Sequence, residues 1–393
     1  LTALAIRLSS ILDIYLILIS WISNEAELVK KKLDTKELPR FSWDCGTAYD
    51  LFVSLHVLHH PEKFGLRGSW AAGVRSRVPP AERGLLEDGD HLLHVPMHWI
   101  HALPEPKDSA SALWTLGRLP AADRLPALAL SPEAPPSAAR VFREVAGRGG
   151  WGEKDLDALR AAYQSKASPP RPKILSVMLE WWSRPAEFGE GYLAALHSYQ
   201  QAFFAEEERR IGPLLQVALD GAQARAGRLS LPALLEDLSQ GVRFASLAGQ
   251  TEWILAPSYW CTPLVVYGQL DAGRMLLLYG ARPADVSLVP GEDVPDAMLL
   301  ALKALADPTR LRILRYLSSR PYTPAQLSRR LRLRAPTVIH HLNALRLAGM
   351  VQLTLESEGE RRYAARPGAV QGTFEFLQAF LSAGADRETE TDA

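Results

Sequence analysis

Three proline-marked helix starts follow one another between residues 307 and 349, and they constrain the chain more than any of its totals does. "DPTRLRILRYLSS" opens with Asp307, a good N-cap, and Pro308 at a first-turn position where a missing N–H costs nothing. "TPAQLSRRL" repeats the signal with Thr323 and Pro324. A four-residue connection, "RLRA", leads to a further helix from about Pro336, and Gly349 supplies the left-handed residue that stops it.

Helical spacing sorts the faces of these segments. Leu311, Leu314 and Leu317 are expected to form one buried stripe, and Val338, Leu342 and Leu345, at i, i+4, i+7, must face a core. Thr337, His340, His341, Asn343 and Arg346 are left on the outer surfaces. "MVQLTL" and "RRYAA" then flank "ESEGE", which predicts a hairpin with Gly359 in its turn. Short helix, tight turn, second helix and basic hairpin make a winged helix-turn-helix, whose second helix enters the major groove of DNA. Outward Thr, His and Asn can bond base edges, with Asn–adenine a favourable pairing. Thr323, Gln326, Arg329, Arg330, Arg332, Arg334, Arg361 and Arg362 surround that helix as groups able to hold the DNA backbone.

Charge agrees locally. The whole chain is formally neutral, yet residues 303–366 hold 13 basic and four acidic residues, a balance of +9 offset by −9 elsewhere. That asymmetry describes a basic module on an acidic body.

The string "LKALADPTRLRILRYL…TPAQLSRRLRLRAPTVIHHLNALRLAGMVQLTLESEGERRYA" resembles the ArsR-type winged-helix transcriptional regulators over residues 300–383. The upstream "WDCGTAYDLFVSLHVLHHPEKFGLRGSWAAGVRSR" resembles, more weakly, an uncharacterised helical domain found before such modules in bacterial proteins. The resemblance implies a dimer formed by the helix with Leu299 and Leu302 and the last helix, with Val370, Phe374, Leu377 and Phe380. Metal-sensing members of the family carry a Cys pair before the recognition helix; "TPAQLSRRL" has no thiol, so soft-metal sensing is not expected there. Ile339 stands where the family usually has Ser, which removes one expected contact to DNA.

From about residue 41 to 295 the chain is rich in Leu, Ala and Pro and reads as a helical domain for sensing or interaction. "TEWILAPSYWCTPLVVYGQLDAGRMLLLYG" predicts two or three strands of a small antiparallel sheet. The fold class is therefore mainly α with small antiparallel β elements. Tryptophans such as Trp181, Trp182 and Trp260 are read as core, and "EEERR" as a solvated helix face. The histidines His91, His94, His98 and His101, spaced H-x2-H-x3-H-x2-H, give an alternative reading as a metal-responsive regulator; His56, His59 and His60 lie upstream. Pro96 interrupts that helix, and ordinary histidines are the simpler expectation. No nucleophile elbow, P-loop, dinucleotide fingerprint or HExxH occurs, so no enzyme is expected and no cofactor is called for.

Residues 1–40 differ in composition, with six of the twelve isoleucines in the first 22 residues. Insertion of that stretch would gain about 6 kcal/mol from Leu and Ile and lose about as much at Arg7 and Asp13, so a membrane partner is not expected. Two cysteines, Cys45 and Cys261, cannot make a disulfide framework and suit a reducing cytoplasm. Residues 296–385 form the DNA-binding and dimerisation domain, and 386–393 a disordered tail. The sequence as a whole predicts a cytoplasmic, homodimeric, sequence-specific transcriptional repressor that binds double-stranded DNA under control of a small-molecule or protein effector.

Overall fold

The computed structural model describes residues 39–93, 95–164, 170–245, 247, 249–288, 294–356 and 360–391. The readings made above at residues 1–38, His94 and Gly359 lie outside the described residues. In chain order come β1 (Arg40–Trp43), α1 (Thr47–His59), a 3-10 turn (Pro61–Phe64), α2 (Gly68–Arg75), α3 (Pro80–Leu92) and α4 (Met97–His101). Next are α5 (Ser109–Arg118), α6 (Ala121–Ala129), α7 (Pro136–Arg148), α8 (Glu153–Tyr163), α9 (Pro172–Ser183), α10 (Pro185–Tyr199) and α11 (Ala205–Ala226). α12 (Leu231–Leu238) and β2 (Val242–Phe244) precede β3 (Glu252–Ser258), β4 (Val266–Asp271) and β5 (Arg274–Gly280). The last stretch holds α13 (Asp296–Leu305), α14 (Pro308–Leu317), α15 (Pro324–Leu331), α16 (Ala335–Leu347), β6 (Val351–Leu355), β7 (Arg361–Ala365) and α17 (Ala369–Thr391). The class is mainly α with small sheets, as the composition and periodicity imply. Among the described residues, no helix is long and apolar enough to cross a membrane.

The chain folds as two compact units. One runs to Leu231 and resumes over Leu247–Ala281; the other takes Pro232–Ser246 and the chain from Arg282 onward. In the first unit α1 is buried on all sides from Ala48 to Leu58, the burial expected of a helix that is apolar all round. Its sheet has the order β1-β3-β5-β4. The hairpin of β4 and β5 is antiparallel as expected, but β3 pairs with β5 in parallel and β1 with β3 in parallel, so the sheet is mixed. The physical reason is burial on both faces: β3 and β5 are continuous apolar runs, which suit a covered parallel pair rather than a half-solvated meander.

Two carboxylates tie this unit together. Asp50, fully buried, accepts hydrogen bonds from Ser258 Oγ at 2.7 Å, Tyr259 N at 3.1 Å and Trp260 N at 2.9 Å, which joins α1 to the end of β3. Burial outweighs those bonds and pushes its pKa up to about 6. Asp44 takes both oxygens to Lys107 Nζ at 2.7 Å and also accepts from Tyr49 and His101. Burial there would raise the pKa, but the bonds from His101, Lys107 and Tyr49 overcome it and hold the group at about 2.

The charged run "EEERR" is a solvated face only in part, at the exposed Glu206 and Arg209. Glu207 is buried and bonded to Arg210, and Glu208 accepts from Thr47 Oγ1, Ser109 N and Ser109 Oγ. The donors come from distant parts of the sequence, so the run alone could not reveal them. Trp182 stacks on Phe142 and Trp260 on Trp70, both in the core.

In the second unit α14 turns Ile313, Leu314 and Leu317 inward, while Leu311 is 48% exposed; the stripe is shifted from the expected Leu311–Leu314–Leu317. Ile313 takes the place of Leu311 because its face, not that of Leu311, meets α16 and β7. α17 continues to Thr391, and residues 392–393 of the polar tail lie outside the described residues.

Asp44 makes a prediction about acid stability. A carboxyl held below its unfolded value of 3.8 contributes stability that is complete above that pH and is lost as pH falls toward about 2. Urea midpoints of the full chain should therefore fall through that window by the equivalent of about 2 kcal/mol, and Asp44→Asn should flatten that limb of the profile.

Candidate nucleic-acid interface

The interface is built on the seam that seats α16. Val338, Leu342 and Leu345 are each fully buried, packed with Ile313, Leu317, Leu327 and Leu331. At roughly 100° per residue, the direction opposite that seam is set. His340 stands about 165° from it and Asn343 about 130°; Thr337 lies about 110° away. His340 and Thr337 are exposed and Asn343 half-buried, in agreement with this rotation. Arg346 and His341 stand only about 70° from the seam, and both are half-buried.

His341 is turned toward the start of α14. Its Nδ1 lies 3.9 Å from Asp307 Oδ1, burial lowers its pKa, and Nδ1 is itself buried without a hydrogen-bond partner. An i, i+4, i+7 stripe has flanks, and His341, expected on the outer surface, sits half-buried on one. Asp307 caps α14 by accepting from Arg310 N at 2.9 Å, as its position before Pro308 implies.

Capping also occupies two residues expected at the interface. Thr323 Oγ1 accepts from Gln326 N at 3.2 Å and Gln326 Oε1 accepts from Thr323 N at 3.0 Å, a complete capping box at the start of α15. Thr323 is buried and Gln326 half-buried, so both serve the helix start. The turn from α15 to α16 is held by Arg332 in the left-handed region, φ 56°, with Leu333 N donating to Ser328 O and Ser328 Oγ to Leu333 O. Gly349, φ 66°, ends α16 in a Schellman arrangement: its N–H donates to Arg346 O and that of Met350 to Leu345 O.

The cations divide. Arg329, Arg330, Arg332 and Arg334 are exposed around the turn and the start of α16. Arg330 reaches back over the Tyr316 and Tyr322 rings, at 5.8 and 5.5 Å from their centroids. In the hairpin, β6 and β7 pair antiparallel from Val351–Ala365 to Leu355–Arg361. Alternation puts Arg361 on the face of the buried Tyr363 and Arg362 on the other. Arg362 is engaged by Glu360 at 2.8 Å and lies 3.7 Å from Glu356. Tyr322 bridges to Tyr363 on one side of this hairpin, and β2 runs parallel to β6 on the other, Val242 opposite Leu353. Glu236 fastens that extra strand by accepting from Gln352 Nε2 at 2.8 Å and pairing with Arg243 at 2.7 Å. Residues 232–246 lie within the stretch expected to be the helical domain, and nothing in so short a strand announces its partner.

The family comparison coincides with this geometry. Residues 307–352 match the family described as "Bacterial regulatory protein, arsR family". This segment is an ArsR-type helix-turn-helix. The match runs from the N-cap of α14 through α16 and into β6. No curated protein and no solved structure matches the chain at a significant level. An ArsR-type helix-turn-helix is a DNA-binding regulatory module, which implies double-stranded DNA as the partner of this segment.

On the expected dimer elements, α17 leaves Val370, Phe374 and Leu381 exposed and Leu377 and Phe380 half-buried, while Leu299 and Leu302 on α13 are half-buried.

Among the described residues, His91, His98 and His101 do not come together as a metal-ligand group. His98 Nε2 bonds Ala127 O at 3.0 Å and His101 Nδ1 bonds Asp44, so each is spent on its own partner, and His91 joins no metal-ligand group among the described residues. The break at Pro96 separates α3 from α4 and destroys the shared face on which the spacing relied. The histidines that do converge are His56 and His60, at i, i+4 on and just past α1, on Asp90 of α3. The i, i+4 pair was legible in "HVLHH"; the carboxylate came from another helix and was not.

Leu342→Ala should destabilise the second unit by about 2–5 kcal/mol, because a fully buried leucine leaves a cavity that close neighbours cannot refill. Thermal or denaturant unfolding of the full chain, read by an amide probe on α16, checks it.

Proposed function

We propose that the protein is a cytoplasmic, homodimeric transcriptional repressor that reads a specific double-stranded operator with α16. The observation that carries this is the rotation of α16: the seam Val338–Leu342–Leu345 turns His340 and Asn343 outward, with Thr337 beside them, in a module of ArsR type. Asn343 and His340 read base edges in the major groove. Arg329, Arg334 and Arg346 contact phosphates and set the register. Arg330, Arg332, Arg361 and Arg362 add to the positive field, Arg362 less than its charge implies because Glu360 and Glu356 hold it. Thr323, Gln326 and His341 support α15 and α14 rather than touching bases.

The stripe Val370, Phe374, Leu377 and Leu381, at helical spacing along α17, supports pairing with a second copy, with Leu299 and Leu302 contributing. Two recognition helices then meet half-sites about one turn of DNA apart. The helical unit, which DNA binding does not need, supports control by an effector: binding there shifts the population between operator-competent and incompetent arrangements. No catalytic step is assigned to it.

The test is binding of the full chain to DNA selected from a random pool, over a salt series. Asn343→Ala should lose about 1–3 kcal/mol of preference for the selected sequence while leaving nonspecific binding intact. Arg334→Ala should weaken all sequences alike and reduce the salt slope by about one. Selection that yields no sequence preference would contradict the assignment. In light scattering, Phe374→Glu should shift the chain from dimer to monomer.

A further inference from the structure

Asp90, on α3, presents each carboxylate oxygen to a different imidazole. Oδ1 lies 2.7 Å from His56 Nδ1 and Oδ2 2.8 Å from His60 Nε2, and the two rings are tilted against each other at 4.6 Å between centroids. All three side chains are sheltered, with exposures of 10%, 18% and 6% for His56, His60 and Asp90. One ligand atom from each residue can be chosen so that the three lie within 4.8 Å of one another. We propose that His56, His60 and Asp90 form a binding site for a divalent first-row transition-metal ion in the helical unit.

The donor chemistry carries the assignment. Two imidazole nitrogens and one carboxylate oxygen are a borderline-hard set, suited to zinc, cobalt or iron(II) and unsuited to soft thiophilic ions. Neither cysteine of the chain belongs to the group. The i, i+4 relation of His56 and His60 brings both rings to one face of the chain, and α3 closes that face with the carboxylate. Ligation needs an unprotonated ring nitrogen from each histidine, so a proton now shared with Asp90 moves to the other ring nitrogen or to solvent and each imidazole–carboxylate hydrogen bond is exchanged for a metal–nitrogen bond. Water completes the coordination. The three ligands come from both sides of the 3-10 turn Pro61–Phe64, so the ion would staple the end of α1 to α3.

Lys63 is the neighbouring charge that opposes such an ion. Its Nζ is buried without a hydrogen-bond partner, and Asp90 is the carboxylate that attracts it. A cation held by Asp90 competes with this ammonium for the same carboxylate field, so Lys63 provides a variant that removes no ligand.

The proposal stands apart from the DNA-binding reading, and its test uses no DNA. Cobalt(II) is titrated into the metal-free full chain and followed by its visible d–d absorption, then competed with zinc. One equivalent should bind with the intense bands of a low-coordinate nitrogen and oxygen site. His60→Ala and Asp90→Asn, checked for helicity by circular dichroism, should lose at least tenfold in affinity, and Lys63→Met should bind several-fold tighter than the parent. Absence of cobalt binding by the parent chain overturns the site. So does binding that Lys63→Met does not tighten, or that survives His60→Ala unchanged; the triad would then be a hydrogen-bonded tie between helices only. Should His60→Ala fail to fold, the Lys63→Met comparison decides.

Discussion

Three apolar side chains, Val338, Leu342 and Leu345, fix the rotation of α16 about its own axis, and every outward group of the module depends on that rotation. Burying each of them is worth roughly 2 kcal/mol or more, so turning the helix by one residue would forfeit several kcal/mol. The polar faces of Thr337, His340 and Asn343 are thus oriented by side chains that never meet DNA. The same seam turns His341 toward Asp307 at the start of α14, at 3.9 Å. The buried seam and the outward polar groups share one helix and divide it by angle.

The surrounding devices keep that helix from drifting along its axis. The capping box of Thr323 and Gln326 fixes where α15 begins, Arg332 in its left-handed conformation fixes the turn, and the Schellman end at Gly349 fixes where α16 stops. Beyond it the hairpin is flanked on both sides, by the Tyr322 bridge and by β2, with Glu236 clasping Gln352 and Arg243. Covering the β6 edge with β2 removes an unpaired row of backbone donors and acceptors. The first unit uses buried carboxylates for comparable ends: Asp50 joins α1 to β3, and Asp44 joins the segment before α1 to Lys107 and His101.

How much of this could be read from the sequence depended on how local each signal is. The caps at Asp307 and Thr323, the stop at Gly349 and the seam of α16 are short-range patterns, and each lies where its residues put it. Leu311 was misplaced because leucines at 311, 314 and 317 and the isoleucine at 313 offer two overlapping stripes, and only the neighbouring elements choose between them. His341 was misplaced because a seam has flanks as well as a front. Long-range pairings left no local trace: β2 against β6, β1 beside β3, the donors that surround Glu208, and Asp90 between His56 and His60. The regular spacing of His91, His98 and His101 was already offset in the sequence by Pro96, and His98 and His101 bond Ala127 and Asp44.

In the proposed function, α16, turned by its buried seam, lies in the major groove. Interference footprinting tests it most directly: selected operator DNA is methylated at guanine N7, a major-groove atom, and at adenine N3, a minor-groove atom, and bound and free fractions are compared. Interference at N7 in two patches one helical turn apart, diminished at one position by Asn343→Ala, is the result this account predicts. Interference confined to N3, or none that depends on Asn343, would contradict it.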